Sequence, residues 1–127
     1  MQNRLTDQAG FRPFLPAKDL ELSKRFYLAL GFTLVLDSEV KIFKIGPAAF
    51  VLAAFDKADN HMMQLMVDDL DAWWAHLQSL HLSAEFGVPD PTPPQRQPWG
   101  LRVSYLVDPS GILWHIAERR HDKPHDY

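Results

Sequence analysis

Asp19-Leu20-Glu21-Leu22-Ser23-Lys24-Arg25-Phe26-Tyr27-Leu28-Ala29-Leu30-Gly31-Phe32 is the stretch that decides the fold, because its pattern returns fifty residues later. Asp19 stands where an N-cap carboxylate accepts backbone N–H bonds, and a helix follows to about Leu30, where Gly31 supplies the stop. Leu22, Phe26 and Leu30 recur at i, i+4 and i+8 with Tyr27 beside them, while Glu21, Lys24 and Arg25 face the other way. The helix is amphipathic and needs a surface to lie on. Aligning Asp19-Leu20 with Asp69-Leu70 also brings Leu15 onto Leu65, Leu30 onto Leu80 and Phe32 onto Leu82. Identities are few, but element type and order repeat, as in two copies of one supersecondary unit.

Working outward, Phe11–Pro16 reads as a short strand before the first helix, and the period changes after it. Phe32–Asp37, Val40–Ile45 and Ala48–Phe55 are short runs rich in β-branched and aromatic residues, punctuated by Asp37-Ser38 and Gly46-Pro47. This is β-α-β-β-β, closed by a polar linker over Asp56–Asn60. The second copy repeats it with a strand at His61–Val67, a helix at Asp69–Leu80, and strands at Ala84–Val88, Trp99–Val107 and Ile112–Glu118. Asp108-Pro109-Ser110-Gly111 has the residues of a type I turn, so the last two strands form a hairpin. The segment from Pro89 to Pro98 holds five of the ten prolines, cannot donate a full hydrogen-bond ladder, and is expected to be a stiff surface loop. Module one spans about 11–55, module two about 61–118, and a frayed tail 119–127, all within one 127-residue domain.

The length suits a single core, and 46% hydrophobic with 23% charged residues excludes a disordered or collagen-like chain. A formal charge of −3 lacks the basic footprint of a phosphate-backbone binder, so no nucleic acid is expected. The absence of cysteine excludes a disulfide scaffold, a Cys-ligated zinc site and a thiol nucleophile. The N-terminal ten residues are polar and no apolar run reaches membrane-helix length, so the expectation is a cytoplasmic protein with no membrane partner. No Ser-His-Asp order, phosphate loop or spaced carboxylate pair stands out.

Several motifs carry a resemblance that covers roughly Phe11 to Glu118. They are Asp19-Leu20, Phe26-Tyr27 and Leu30-Gly31-Phe32 in the first copy. In the second they are Val67-Asp68-Asp69-Leu70, Gln97-Pro98-Trp99-Gly100 followed by Arg102, and Asp108-Pro109-Ser110-Gly111. Together they resemble the glyoxalase, bleomycin-resistance and extradiol-dioxygenase superfamily, the vicinal-oxygen-chelate fold, and the Gln-Pro-Trp-Gly piece looks most like the bleomycin-resistance branch. The resemblance implies an α+β fold of two tandem βαβββ modules whose curled sheets form a half-open, barrel-like cleft. It also implies a homodimer with two clefts.

Metal-dependent members of that superfamily carry His or Glu ligands on the first and last strands of each copy. The first-strand position, seven residues before the capping Asp, is here Arg12 in copy one and Met62 in copy two. Arg offers no lone pair and Met is a soft thioether suited to copper. The closing position of copy two, seven residues after the turn Asp, is His115; the end of copy one, Val51–Phe55, offers no donor. A register slip would add only His61, and the period-2 rule puts Glu118 on the opposite face of its strand from His115. No metal, cofactor or catalytic residue is therefore expected.

The candidate ligand-binding residues are Trp99, Arg102, His115, Arg12, Phe14, Met62 and Gln64. Trp99 is either a stacking platform at the cleft mouth or an indole anchoring its loop to the sheet. His115 points into the cleft if the family register holds; otherwise it is a histidine bonded across the sheet. Arg102 either binds an anionic group or pairs with an acidic neighbour. Arg12, Phe14, Met62 and Gln64 share the faces of the two first strands that the family turns towards its cavity, a mixture suited to binding. The expected function is cleft binding of a small organic molecule without chemistry, and the mild negative charge does not oppose a cationic one. The alternatives are a metal-dependent lyase, isomerase or dioxygenase of the same superfamily, and a pure dimerisation domain whose cleft is filled by Trp99 and Phe14.

Overall fold

Asp19 caps its helix as the sequence demands: its Oδ1 accepts the Leu22 N–H at 3.0 Å, and Gly31 at φ 102° ends the helix in a left-handed turn. Asp69 does the same for Ala72 at 3.0 Å. Asp19→Ala is expected to lower the unfolding free energy by about 1 kcal/mol, read as a lower urea midpoint at constant slope.

The computed structural model describes residue 5 and residues 9–56 and 60–120. The elements run β1 (Phe14–Ala17), α1 (Leu20–Leu30), β2 (Thr33–Asp37), β3 (Lys41–Ile45), β4 (Ala48–Ala54), β5 (Met62–Val67), α2 (Leu70–Ser79), α3 (Leu82–Phe86), β6 (Gln95–Arg96), β7 (Arg102–Val107) and β8 (Leu113–Glu118). They form two four-stranded sheets of identical plan, β1-β4-β3-β2 and β5-β8-β7-β6. In each, the first strand lies parallel to the last, Phe14 opposite Val51 and Gln64 opposite His115, and the remaining pairs are antiparallel. The fold is α+β, two βαβββ modules in tandem, as the fifty-residue repeat requires. Part of the linker (57–59) and most of the tail (121–127) lie outside the described residues, as does most of the polar N-terminus.

Three strand expectations shift. The expected strand at Ala84–Val88 is instead the short helix α3, which His81 enters at φ 51° and Gly87 leaves at φ 69°. One helical turn there drops Leu82 and Val88 into the core, which an extended strand would not. The missing sheet neighbour comes from within the proline-rich loop: Gln95 and Arg96, which retain their N–H groups, pair with Val103 and Arg102 as β6. The expected strand start at Trp99 gives way to a turn, in which the Gly100 N–H meets the Gln97 carbonyl at 2.8 Å and Arg102 opens β7. Strand β1 likewise starts at Phe14 rather than Phe11.

Period-2 alternation then assigns the faces. Leu15, Phe43 and Leu52 of the first sheet and Leu106, Trp114 and Ile116 of the second turn inward, and one core cluster joins them with Phe26 and Tyr27 of α1 and Leu70 and Leu77 of α2. The two modules thus share a core on their helix-bearing sides. Across it, His76 of α2 meets the Leu30 carbonyl at 2.9 Å. The opposite faces of both sheets are bare in part: Phe14 is 58% and Met62 62% exposed there, while Val51, Val103 and Ala117 are buried.

Candidate functional site

The bare face of the first sheet is built by strict alternation: Phe14, Ile42, Lys44, Ala49 and Val51 all point away from the α1 side. It holds a cavity of about 950 Å³, and Arg12 and Phe14 enter it from the first strand and its approach. Gln64, between Met63 and Leu65 of β5, closes it from the second module, and Phe50 and Trp114 reach its edge from the core. The wall is mostly aliphatic and aromatic with a few polar groups, the usual make-up of a small-molecule cleft.

Of the seven candidate residues, the structure brings Arg12, Phe14 and Gln64 together in this cavity. Met62 and His115 lie on the bare face of the second sheet. There His115 pairs in register with Gln64 and Tyr105 and sets its ring edge-on to Tyr105 at 4.8 Å. His115 thus lies on the face opposite the buried Trp114 and Ile116, and it does not line the cavity. Trp99 is 57% exposed at the tip of the Gln97–Leu101 turn and does not line the cavity. Its turn is closed by Arg96 Nη1 on the Gly100 carbonyl at 2.6 Å. Gly100 sits at φ +104°, a left-handed conformation that favours glycine, with the flexible end of the Arg120 side chain beside it.

Arg102 is placed elsewhere. Its guanidinium binds Glu118 at 3.0 Å and Asp71 at 2.9 Å on the helix side of the second sheet, and Glu118 also accepts the Leu70 N–H at 3.0 Å. These bonds fix α2 to its sheet, which is the structural one of the two roles the sequence leaves open. The Arg102 bond draws Asp71 below the usual carboxylate range.

At the first-strand positions where the superfamily resemblance implies metal donors stand Arg12 and Met62, Glu118 is held by Arg102 on the helix side, and His115 is the one matched donor. Among the described residues, no three His, Cys, Asp or Glu side chains come together in a metal-holding group. Among the described residues, no helix is long and apolar enough to cross a membrane.

A polar network missed by residue-by-residue reading lies beneath the site. The Asp108 Oδ1 accepts the Ser110 and Ile112 N–H groups at 2.8 and 2.9 Å, and its Oδ2 accepts the Tyr27 hydroxyl. The Tyr27 oxygen in turn accepts the Trp114 indole N–H at 3.1 Å. Ser110 Oγ accepts the Lys18 N–H at 2.8 Å and lies 3.4 Å from Ser23 Oγ. Burial raises the Asp108 carboxyl, and burial followed by the adjacent carboxylate raises the Tyr27 phenol well above its ordinary value. The hairpin turn of module two is thereby plugged into the helix of module one. The signal was present in the sequence as two separate motifs, Phe26-Tyr27 and Asp108–Gly111, with nothing local to say that they meet.

Comparison with known proteins gives a consistent result. Residues 9–116 match the model of the Glyoxalase/Bleomycin resistance protein/Dioxygenase superfamily. A bleomycin resistance protein of Klebsiella pneumoniae is 30% identical over 120 residues, covering 90% of this chain and 94% of that protein. Among solved structures, a bleomycin-binding protein complexed with bleomycin superposes with a TM-score of 0.77 at 27% identity, covering 89% of this chain and all of the other. A bleomycin resistance determinant encoded on transposon Tn5 gives 0.74 at 27% identity, covering 87% of this chain and 98% of the other.

Proposed function

The chain belongs to the glyoxalase/bleomycin resistance protein/dioxygenase superfamily, and from that premise we propose that it holds a small organic molecule in the cleft of the first sheet, without metal and without catalysis. The observation that carries this is the cavity of about 950 Å³, with Arg12 and Gln64 as polar points in an otherwise largely apolar wall. Apolar burial supplies the affinity and the polar points fix orientation. The relatives named for binding bleomycin or resisting it support small-molecule capture as the use of this fold. The single matched donor, His115, supports binding over metal chemistry, since a catalytic zinc site needs about three protein ligands. A second copy of the chain covers the bare sheet faces in this reading, because Phe14, Val35 and Met62 are too apolar to stand more than half exposed in a monomer without a partner.

The test is a titration with N-phenyl-1-naphthylamine, a neutral fluorescent probe of two aromatic groups, with bleomycin as a competitor. Saturable binding at one site per chain is expected, and Ala49→Phe, which fills the cleft from the middle of the sheet, should weaken it at least tenfold with little change in thermal midpoint. Unsaturable binding, or equal binding by the variant, would remove the cleft from consideration. Elemental analysis of tag-free protein is expected to find no stoichiometric metal. One metal per chain, lost with chelator and with His115→Ala, would instead make this a metalloenzyme.

A further inference from the structure

The only charged side chains lining the cleft among the described residues are two cations, Arg12 and Lys44; no Asp or Glu lines it. Neither cation has an ion pair or side-chain hydrogen bond among the described residues. This is not a shortage of acids, since the chain as a whole is at −3. Five acids are engaged in ion pairs elsewhere: Glu21 and Asp37 bind Lys24 and Lys41 on the α1 side of the first sheet, and Asp68, Asp71 and Glu118 bind Arg119 and Arg102 around the second. Lys44 lies beside Ala49 in the ladder, and extending the β1–β4 register back two residues brings Arg12 level with Ala49 on its other side. The two cations thus flank one small residue, with about 10 Å, two strand spacings, between their backbones. Ala49 leaves open the space between them. The bare face of the second sheet adds no acid: its register gives Met62, Gln64, Met66, Tyr105 and His115.

We propose that the cleft is an oxyanion site: its ligand carries a carboxylate, phosphate or sulfonate head held between Arg12 and Lys44, on an apolar body that packs against Phe14, Ile42 and Val51. The proposal rests on the cleft-binding reading and sharpens it to a ligand class. Arg offers a planar fork that matches an oxyanion, and Lys adds a compact charge beside it. An apolar wall lowers the local dielectric, so an anion gains more there than on the open surface, and a cationic ligand is disfavoured.

The experiment pairs N-phenyl-1-naphthylamine with 8-anilino-1-naphthalenesulfonate, the same aromatic framework carrying one sulfonate. The sulfonate is expected to bind at least about tenfold tighter at low salt, the gap narrowing as salt screens it. The double variant Arg12→Gln/Lys44→Gln should bring the ratio of the two affinities to about one, with the melting midpoint unchanged because both side chains are exposed and unpaired. The charge-keeping double variant Arg12→Lys/Lys44→Arg should keep the gap, which tests the same point if the first folds poorly. Saturable binding of both probes with equal affinity, or a gap that survives loss of both cations, overturns the oxyanion site and leaves the cleft reading standing. Failure of both probes to bind overturns both.

Discussion

Asp108→Ala is expected to lower the unfolding free energy by about 3 kcal/mol, on the scale of about 1 kcal/mol or more for each of three buried donors left without an acceptor. The carboxylate serves three donors, the Tyr27 hydroxyl and the Ser110 and Ile112 N–H groups. Alanine leaves all three buried without an acceptor, and it loosens the Trp114 indole behind Tyr27. Urea unfolding should show a lower midpoint at an unchanged slope; a loss below about 1 kcal/mol would mean that water replaces the carboxylate at no cost. Asp108→Asn keeps only one acceptor oxygen and should fall between the two.

The same residue sets a pH dependence. Burial raises the Asp108 carboxyl, outweighing the hydrogen bonds from Tyr27 and the turn that lower it. The folded state therefore binds this proton more tightly than the unfolded one. Its contribution is full below the ordinary carboxylate value of 3.8 and is lost as pH rises through the raised folded value. Glu21, held low by Lys24, and Asp37, held low by Lys41, run oppositely: their contribution is present above the ordinary range and lost as pH falls. The clean measurement is the stability difference between wild type and Asp108→Asn. It should grow in favour of the wild type from pH 7 towards pH 4, and the opposite slope would refute the assignment.

Phe50→Ala is expected to cost about 3–5 kcal/mol, the range for emptying a large aromatic site in a core. The Phe50 ring lies 5.1 Å from Tyr27, 5.7 Å from Phe43, 6.1 Å from Phe32 and 5.9 Å from Trp114. These rings come from α1, the α1–β2 turn, β3 and β8, so the void opens where both modules meet and no single element can relax into it. Phe50 also reaches the cleft, so water gains a path to the Trp114 indole. Denaturant unfolding measures the loss, and a red shift of the native tryptophan emission reports the wetting. The neighbouring Ala49→Phe adds bulk to open space on the other face and should cost little; that contrast separates core from cleft one residue apart.

The elements were legible because each is specified within a few residues. Asp19 and Asp69 accept from N–H groups three residues on, Gly31 needs no distant partner to turn left-handed, and alternation along β8 puts His115 opposite Trp114 whatever lies beyond the strand. Where local signals were weak, the sequence misled: Ala84–Val88 has strand composition, yet the burial of Leu82 and Val88 makes its first part a helix.

By itself, then, the sequence determined two βαβββ copies, their caps, their hairpin turn, and which residues share a strand face, because these follow from short-range hydrogen bonding and side-chain period. Only the tertiary structure decided which charges meet. Arg12 and Arg102 were both candidates in the sequence, and Arg102 was as open to an acidic partner as to a ligand; folding sets Arg102 against Asp71 and Glu118 and leaves Arg12 unpaired in the cleft. The net charge of −3 meant only that a cationic ligand was not opposed, but Coulomb forces depend on distance, and no acid among the described residues lines the cleft. Tyr27 and Asp108, 81 residues apart, likewise become partners only when the two modules close on one core.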